Sequence, residues 1–291
     1  MQAKRELWNY GPGERVWVGK YKNSHNLPHW HDDCELIFAE SGEVDVFCDG
    51  KIYTLKKGAA MFICGGQVHY MIAKECGVVL TTLVFHYELI KRYFRGLTLN
   101  TPVLCADYPI EKTYQVIITE LKVKKNFYRE LVENELERLM LQIFRREKLT
   151  LKPQRNETRE QFKRLLDELS VSFEFFTLTN AAKFMNMNVS YFSRFFHANA
   201  GISFSKYLNY VKVENAVAKL KAEKCTATEI AVACGFGTIR NFNRMFKTLT
   251  GYTPTKMPLE FQFSADFINK GTNCGNPTLS DCELIESSNR F

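Results

Sequence analysis

The chain has no long hydrophobic run. None of its apolar stretches reaches the roughly 18 residues that a membrane-spanning helix requires. The opening string MQAKRELWNYGPGERV contains no apolar core of a secretion signal. These absences argue against a membrane protein and against a secreted one. We therefore expect a cytoplasmic protein without a membrane partner.

Closely spaced cysteine pairs are also missing, since the chain has no Cys-x-x-Cys string. The nine cysteines are scattered along the chain, at Cys34, Cys48, Cys64, Cys76, Cys105, Cys225, Cys234, Cys274 and Cys282. Zinc fingers need paired ligands at short spacing, so the sequence argues against that class. An odd, dispersed set predicts reduced thiols, several of them buried as small hydrophobic side chains.

The composition is that of an ordinary globular protein, but the charge is uneven. Hydrophobic residues make up 45% and charged residues 24% of 291 residues, which is enough chain for two domains. The formal net charge is +7, and residues 178–258 contain 11 Lys and Arg against 3 Asp and Glu. Such a local excess is expected of a surface that contacts phosphates. A lysine-rich, solvated helical surface would have the same charge.

Residues 1–90 have the pattern of short β-strands. Alternating runs bounded by turn residues lie at 15–21, 34–40, 43–48, 51–55 and 78–86. The string Cys48-Asp49-Gly50-Lys51 between two of them predicts a hairpin, because Asp-Gly suits a type I′ turn. Several short strands at this spacing predict an all-β barrel or sandwich, which we place in residues 1–110.

From about residue 111 the hydrophobic period becomes helical. The first apolar stripe consists of Tyr114, Ile117, Ile118 and Leu121, and the second of Leu131, Leu136, Leu139, Met140 and Ile143. These two helices, within 111–148, either close the core of the N-terminal domain or bury their stripes in a second subunit. We expect a homodimer and keep both alternatives.

Two further segments complete the domain plan. Residues 149–160 contain a proline and few apolar positions, which predicts the linker between the domains. Residues 161–258 are helical in pattern. Residues 259–291 have no clear period, and we assign them no role.

Residues 181–204 are repeated 50 positions later. Ala181, Phe192, Arg194, Phe196 and Gly201 recur as Ala231, Phe242, Arg244, Phe246 and Gly251. Each copy contains Phe-x-Arg-x-Phe-x4-Gly after a short helical pattern. This predicts two helix-turn-helix units, at about 178–200 and 226–250. Such a pair can place two helices into neighbouring major grooves of DNA.

The second copy has clear signals for its helix ends and faces. Thr226-x-x-Glu229 is a capping box, Gly235 suits the left-handed residue of the turn, and Thr238 is a good N-cap for the next helix. That helix has two opposite faces: the apolar one contains Phe242, Met245, Phe246 and Leu249, and the polar one Arg240, Asn243, Arg244 and Lys247. All four polar side chains can donate hydrogen bonds to base edges or phosphates.

The first copy is similar but less basic. Its helix is predicted to have Asn188 as N-cap, Phe192, Phe195 and Phe196 inward, and Ser190, Ser193, Arg194 and His197 outward. We therefore expect the second copy to make more of the phosphate contacts. A continuous helix over 204–224, with Val213, Ala216, Val217 and Leu220 on one face, is expected to hold the two units roughly 34 Å apart, one turn of DNA.

Residues 161–258 resemble the DNA-binding domain of the AraC/XylS family of bacterial transcription regulators. The resemblance rests on NVSYFSRFFHANAGISFSKYL and ATEIAVACGFGTIRNFNRMFKTLTGYTP, about a third of the chain with its surroundings. It implies an all-α domain of two helix-turn-helix units joined by a helix, with the second helix of each unit on DNA. Carried over residue by residue, the implied DNA contacts are Ser190, Tyr191, Ser193, Arg194, His197, Arg240, Asn241, Asn243, Arg244 and Lys247.

Two positions depart from the family pattern. The domain ends in Met257-Pro258, where the family usually has an aromatic residue followed by arginine, and Lys212 stands where arginine is frequent. Both departures concern packing more than DNA contact. The resemblance also implies RNA polymerase as a partner.

The N-terminal domain contains two strings similar to the motifs of the cupin family. One is H-x-H-x3-E-x6-G starting at residue 29, and the other is G-x5-C-x-G-x2-H starting at residue 58, with Cys64 in place of the usual proline. This resemblance implies a jelly-roll barrel with appended helices. Imidazoles and a carboxylate that converge can bind Zn, Mn, Fe or Ni, which is their role in cupin enzymes.

Three interpretations of these polar residues stay open: an effector site, structural histidines, or a metal site. Regulators of the AraC type commonly use a cupin-like barrel as an effector pocket, so we adopt the first. The effector-binding candidates are His29, His31, Glu35 and His69. We expect no metal and no other cofactor. By resemblance a carbohydrate is the expected effector, and the neighbouring Trp30 and Tyr70 would suit a sugar.

Together these observations predict a ligand-responsive transcription regulator and not an enzyme. Its expected partners are double-stranded promoter DNA, a small polar effector, a second copy of the chain and RNA polymerase. One alternative is a metal-dependent cupin enzyme with a helical accessory domain. Another is a helical repeat that binds proteins. Paired polar faces with a local excess of positive charge favour DNA.

Overall fold

The structure, a computed structural model, describes residues 10–152, 156–222, 225–259, 261 and 283–288. The chain folds into two compact units. Among the described residues, a β-rich unit is built mainly from residues 30–152 with 10–25 and 283–288, and a helical unit mainly from those between 156 and 261. The predicted two-domain architecture, a strand-rich N-terminal domain followed by a helical domain, is confirmed.

The strands are β1 (Val16–Lys22), β2 (Cys34–Ser41), β3 (Glu43–Cys48), β4 (Lys51–Lys56), β5 (Ala60–Ile63), β6 (His69–Ala73), β7 (Val79–Phe85), β8 (Leu97–Leu99), β9 (Leu149–Leu151) and β10 (Glu283–Ser287). The helices of the β-rich unit are α1 (Lys91–Phe94), α2 (Ile110–Val123) and α3 (Tyr128–Arg146). Those of the helical unit are α4 (Glu157–Val171), α5 (Leu178–Phe184), α6 (Val189–Ala200), α7 (Phe204–Ala222), α8 (Ala227–Ala233) and α9 (Ile239–Thr250). Short 3₁₀ turns lie at Tyr87–Leu89, Phe173–Phe175 and Pro254–Lys256.

Two antiparallel sheets form the β-rich unit. One has the strand order β10-β1-β7-β2-β5 and the other β4-β3-β6, while β8 and β9 form a separate two-stranded pair. Side chains alternate between the two faces of each strand. An apolar core of residues from both sheets results, including Ile37, Val46 and Met71. This is the sandwich-like barrel that the spacing of short strands predicts.

The β3–β4 hairpin confirms the predicted turn chemistry. Cys48 pairs with Lys51, which leaves a two-residue turn. Asp49 has φ 49° and Gly50 φ 85°, the positive angles that a type I′ turn requires at both positions. The sequence pattern did not delimit strands β5 and β6. In β5 the reason is that the strand is a continuous apolar run without alternation.

Helices α2 and α3 cover the five-stranded sheet and form a second core with it. The stripe predicted on α2 is fully buried, and in this core it meets sheet residues such as Leu36 and Phe85. The stripe of α3 is Val132, Leu136, Leu139, Met140 and Ile143. Of the two alternatives for these stripes, burial within the chain's own domain is the one observed.

One residue of the predicted α3 stripe was wrongly assigned to the buried face. Leu131 is 51% exposed, and Val132 takes its place in the core. The helix starts at Tyr128, and the buried positions then follow at 132, 136, 139, 140 and 143. Residue 131 falls five positions before Leu136, on the far side of the helix.

The predicted linker 149–160 was wrong at both ends. Its first residues form β9, which pairs with β8, and its last residues form the first turn of α4, capped by the Asn156 side chain. Residues 153–155 lie outside the described part. The prediction failed because a short edge strand and the polar first turn of a helix can contain as few apolar residues as a linker.

The C-terminal segment 259–291 contains an unpredicted strand. Within its described part, β10 pairs antiparallel with β1 and becomes the edge of the five-stranded sheet. Glu286 accepts hydrogen bonds from the Tyr114 hydroxyl and the Lys122 ammonium of α2. Cys274 and Cys282 lie outside the described residues.

The helical unit repeats one motif twice, as predicted. The pairs α5–α6 and α8–α9 have matching lengths, and α6 and α9 are displaced by 50 residues at both ends. Residues equivalent in the two copies are buried alike: Phe192 and Phe242, and Phe196 and Phe246, have no exposed surface. Helix α7 connects the copies without a break.

Helix α7 is more than the spacer that one apolar face predicts. Its buried residues lie on most of its circumference: Phe204, Tyr207, Leu208, Tyr210, Val211, Lys212, Val213, Ala216 and Val217. A helix buried on several sides belongs to a core. Leu220 is only half-buried. Helix α7 is therefore the central element of the helical unit.

Candidate functional site

Helices α6 and α9 have well-defined N-terminal ends. The Asn188 side chain accepts a hydrogen bond from the Tyr191 amide (2.9 Å), and the Thr238 hydroxyl accepts one from the Asn241 amide (3.2 Å). Both are N-caps, as predicted. Gly201 and Gly251 end the helices with φ 70° and 79°, the left-handed conformation that favours glycine. These caps fix where each polar face begins.

The polar face of α9 is fully accessible. Arg240, Asn243, Arg244 and Lys247 are all exposed, on the side opposite the buried Phe242 and Phe246. The Arg244 guanidinium donates a hydrogen bond to the Asn241 side-chain oxygen (3.0 Å). Asn241 itself is half-buried. The face therefore presents three cations and two amides from one rigid helix.

The polar face of α6 is less charged. Ser190, Arg194 and His197 are exposed, whereas Ser193 is half-buried. Tyr191 is 49% exposed, and its ring stacks at 6.5 Å from the half-buried Phe195. All ten predicted DNA-contact residues thus lie on two helices of one unit. Their contact with DNA stays a prediction.

Helix α7 supports the turn of the second helix-turn-helix through a buried lysine. The Lys212 ammonium donates a hydrogen bond to the Gly235 carbonyl oxygen (2.7 Å) and lies 6.0 Å from the Phe236 ring centre. Burial lowers the pKa of Lys212. Gly235 has φ +67°, and a Cβ there would come within 2.4 Å of the Glu174 carbonyl oxygen. Sequence reasoning noted Lys212 only as a departure and missed this role.

In the β-rich unit, Glu35 joins two of the predicted histidines. One carboxylate oxygen lies 3.2 Å from His31 Nε2 and 2.9 Å from His69 Nε2. All three side chains are buried. Burial alone would raise the pKa of the Glu35 carboxyl, but hydrogen bonds from the two imidazoles outweigh it and lower that pKa well below its usual range.

The other ring nitrogen of each histidine faces the backbone. His31 Nδ1 lies 2.9 Å from the Asp33 carbonyl oxygen, and His69 Nδ1 lies 2.9 Å from that of Gln67. A carbonyl only accepts, so both Nδ1 atoms carry a proton, and the Nε2 atom of each of these two rings faces the Glu35 carboxylate. His29 makes the same kind of bond, from Nδ1 to the Leu27 carbonyl oxygen at 2.8 Å.

This arrangement fits a metal ion as well as a polar ligand. Ligand nitrogens of His29, His31 and His69 lie within 4.8 Å of one another. Metal-binding histidines usually donate their second ring N–H to a carbonyl, as these do. Three imidazoles are a common donor set for zinc and other transition metals. The residues present therefore fit the group that the cupin-like motif implies.

Tight turns hold the loop that contains His31. The Gly66 amide donates to the His31 carbonyl oxygen (2.7 Å), and Gly66 has φ 85°. A Cβ on the preceding Gly65 would lie 2.0 Å from the Asp32 carbonyl oxygen, so only glycine allows the two loops to approach. The glycines of the second motif thus position the imidazole.

The aromatic residues expected to suit a sugar do not line this cluster as a pair. Tyr70 follows His69 on β6, so the two side chains point to opposite faces of the sheet. The Tyr70 ring stacks on Phe47 at 5.0 Å, and burial raises the pKa of its hydroxyl to about 12. Trp30 is buried. A tyrosine platform for a sugar ring at this cluster is not observed.

No helix among the described residues is both long and apolar enough to cross a membrane.

Comparison with known proteins identifies both parts of the chain. A family model described as an AraC-like ligand binding domain matches residues 12–169, more than half of the chain, and one described as a helix-turn-helix domain matches residues 181–258. The HTH-type transcriptional regulator YijO of Escherichia coli (strain K12) is 31% identical over 80 residues, 28% of this chain and 28% of that protein.

A second relative, the HTH-type transcriptional regulator SAS0078 of Staphylococcus aureus (strain MSSA476), is 26% identical over 127 residues, 43% of this chain and 16% of that protein. The matches thus span between 16 and 28% of the length of these relatives. Among solved structures, apo ToxT K231A from Vibrio cholerae is 10% identical over 87% of this chain and 97% of that chain, with a TM-score of 0.45. The C-terminal domain of the response regulator yesN from Fusobacterium nucleatum is 26% identical over 33% of this chain and 95% of that chain, with a TM-score of 0.32.

Proposed function

The chain belongs to the AraC family of transcription regulators, and we propose that it binds promoter DNA through α6 and α9 and regulates transcription in response to a small molecule. The observation that supports this most is the matched pair of exposed polar helix faces, repeated at 50 residues on one unit. Two helix-turn-helix units of this kind can read successive major grooves of DNA.

The DNA contacts are proposed residue by residue. On α9, Arg240, Arg244 and Lys247 supply charge to phosphates or guanine, and Asn241 and Asn243 supply amides that can read adenine. On α6, Arg194 is the fixed cation, with Ser190, Tyr191, Ser193 and His197 around it. Because the α9 face has three cations and the α6 face has one fixed cation, we expect α9 to make more of the phosphate contacts than α6.

Selection of duplexes from a random pool, followed by fluorescence anisotropy at physiological salt, tests this function. We expect the selected duplex to bind at least about a hundredfold more tightly than a scrambled one, within the usual range for specific binding. A triple change of Arg240, Arg244 and Lys247 to Ala should abolish the difference. The matched control replaces three exposed cations of the β-rich unit, Lys51, Lys57 and Arg145. Equal binding to both duplexes would reject the function.

The effector site is proposed at His29, His31, Glu35 and His69. These side chains are buried and polar, so a ligand with several hydroxyl groups can exchange hydrogen bonds with them. A carbohydrate is our proposal for its class. A thermal-shift screen of sugars and sugar acids on the full chain tests it, because ligand binding raises apparent stability. If only apolar ligands raised the unfolding temperature, the carbohydrate proposal would fail.

The metal-ligand geometry of the histidines favours a second candidate, a barrel that contains a transition metal, as in cupin proteins. His29, His31 and His69 would hold the ion through Nε2, and the ion would act there as a Lewis acid or as an anchor for an effector. Elemental analysis of freshly purified protein decides between the two. About one equivalent of a transition metal, lost in His69→Asn, would establish this candidate against a metal-free effector site.

The remaining parts of the proposal concern assembly and place of action. We expect the protein to act in the cytoplasm, as a homodimer, in contact with RNA polymerase and without enzymatic activity. Because the apolar stripes of α2 and α3 are buried in their own unit, a dimer would use other surfaces. Analytical ultracentrifugation with and without operator DNA measures the subunit number, and a monomer on DNA would reject the dimer.

A further inference from the structure

Cys34 and Cys64 face each other across two neighbouring strands. In the β2–β5 pairing Glu35 lies opposite Ile63, so the same register places Cys34 opposite Cys64. Both side chains point into the core under α2 and α3 and are 0% and 4% exposed. Glu35 and Ile63, one residue along, point to the other face of the sheet.

The backbone at this pair brings the two thiols close. The Cys64 amide donates to the Gln67 side chain (2.8 Å) and not to β2, which makes Cys34 and Cys64 a non-hydrogen-bonded pair. In such pairs the Cα atoms are about 4.5 Å apart. A disulfide spans Cα separations of roughly 4.4–6.8 Å. The two sulfurs can therefore join without a change in the strands.

A cation lies beside one of the thiols. The Lys152 ammonium is 3.8 Å from Cys64 Sγ, and the Lys152 side chain is otherwise exposed. The hydrogen bond from the Cys34 thiol and the charge of Lys152 lower the pKa of Cys64, whereas burial raises the pKa of Cys34. Cys64 thus favours the nucleophilic thiolate and Cys34 the protonated thiol.

An exposed cysteine of the same unit has the opposite environment. Cys105 is exposed, but a hydrogen bond to the Glu147 carboxylate raises the pKa of its thiol. Of these two cysteines, Cys105 is therefore the accessible thiol and Cys64 the one that favours the thiolate. Since Cys64 lies beneath the Lys152 side chain, only a small reagent can reach it.

We propose that Cys34 and Cys64 form a reversible disulfide, with a small hydroperoxide such as hydrogen peroxide as the oxidant. The Cys64 thiolate attacks one peroxide oxygen, the O–O bond breaks, and the leaving hydroxide takes a proton to become water, which leaves a sulfenic acid on Cys64. The Cys34 thiol then attacks that sulfur, the S–O bond breaks, and a second water leaves as the disulfide forms. Peroxide gains two electrons and the two thiols lose them.

Peptide mapping of the peroxide-treated full chain tests the proposal. In the starting protein, serine replaces the exposed cysteines and the two that lie outside the described residues: Cys76, Cys105, Cys225, Cys274 and Cys282. After about one equivalent of hydrogen peroxide we expect a linked pair of peptides containing Cys34 and Cys64, 2 Da lighter than the separate thiol peptides together. Dithiothreitol should restore both thiols. The linked pair should persist in Cys48→Ser, the matched buried-cysteine control.

Two variants separate chemistry from folding. Cys34→Ser should leave Cys64 as a sulfenic acid, which dimedone traps when it is added together with denaturant after the peroxide. Lys152→Met changes an exposed side chain, and we expect it to slow disulfide formation about fivefold or more at pH 7 while the rates converge at pH 10, where the thiolate needs no cation. Preferential over-oxidation of Cys64 with Cys34 present, or a linked pair that forms equally fast at pH 7 in Lys152→Met, would overturn the proposal.

Discussion

Arg244 lies at the centre of the exposed polar face of α9, and its guanidinium donates a hydrogen bond to the Asn241 side chain. The hydrogen bond to Asn241 limits its rotamers before any ligand arrives. A pre-oriented guanidinium loses less entropy when it forms two hydrogen bonds to one guanine. We therefore regard Arg244 as a base-reading residue and Lys247, which has a flexible ammonium, as a phosphate contact.

Arg244→Ala is expected to weaken operator binding by about 1–3 kcal/mol and to relax specificity at one base pair. Anisotropy titrations against all four bases at each operator position measure both effects. Arg145→Ala, a change in an exposed arginine of α3, is the matched control. Equal weakening on every sequence would instead make Arg244 a phosphate contact, and loss of folding would disprove its exposed position.

Glu35 holds two buried imidazoles with one carboxylate oxygen, so its loss affects both. Glu35→Gln removes the charge that pairs with them and is expected to cost about 3–5 kcal/mol of folding free energy, as for other broken buried ion pairs. Chemical denaturation monitored by tryptophan fluorescence measures this in the β-rich unit, since the three tryptophans, Trp8, Trp17 and Trp30, all lie near the N-terminus. Glu75→Gln, an exposed change, is expected to have no effect. Equal stability of the two variants would contradict the hydrogen-bonded cluster.

At the scale of elements, α7 links the two helix-turn-helix units. Its buried side chains belong to the core of the helical unit, and Lys212 adds a hydrogen bond to the second helix-turn-helix. The Lys212 ammonium satisfies the Gly235 carbonyl at the turn between α8 and α9. That carbonyl follows the last residue of α8 and precedes the N-cap of α9. The orientation of the α9 polar face therefore depends on a side chain of α7.

Lys212→Met should leave the Gly235 carbonyl without its donor and cost about 1–3 kcal/mol of stability. Specific DNA affinity should fall with it, because α9 loses its fixed orientation. Lys212→Arg retains a donor and is the matched control, which we expect to keep both properties closer to those of the unchanged protein. Thermal unfolding by circular dichroism and operator titrations measure the two effects. A methionine variant of full stability would show that the hydrogen bond has no structural role.

Strand β10 extends the five-stranded sheet beyond β1. Removal of residues 283–291 should expose the edge of β1 and remove the partner of Tyr114 and Lys122, at a cost of about 1–3 kcal/mol. Urea denaturation of the full and shortened chains, followed by tryptophan fluorescence, measures the loss. A chain that lacks only residues 289–291 is the control. Identical midpoints for the full chain and the longer deletion would show that β10 does not contribute to the sheet's stability.

For the whole molecule, positive charge is concentrated in the segment that contains the two helix-turn-helix units. Residues 178–258 contain 11 of the 39 Lys and Arg but only 3 of the 32 Asp and Glu. A surface of that kind binds DNA with a steep dependence on salt, because each neutralised phosphate releases counterions. The slope of log affinity against log salt counts the phosphate contacts.

Arg240→Ala and Lys247→Ala should each reduce that slope by about one, since each removes one phosphate contact. Ser190→Ala on α6 should leave the slope unchanged. Titrations between about 50 and 300 mM salt measure it. If disruption of α6 and of α9 reduced the slope equally, the prediction that α9 makes more of the phosphate contacts would be wrong.

Local signals in the sequence predicted most elements of both units. Helix caps at Asn188 and Thr238, the capping box at Thr226, and the Asp-Gly turn depend on a few neighbouring residues, and all are observed. Errors arose where position depended on distant partners. Leu131 is apolar but faces outward, and the ends of the predicted linker joined a strand and a helix.

The sequence by itself determined the duplicated helix-turn-helix, its polar faces and the family, because helical periodicity and capping are encoded within a dozen residues. Tertiary structure decided what meets across the fold. It placed Glu35 between His31 and His69, turned Tyr70 away from them, set Lys212 on Gly235, added β10 to the sheet and brought Cys34 opposite Cys64. These contacts join residues from different strands and helices. They follow from strand register and core packing, which no local pattern specifies.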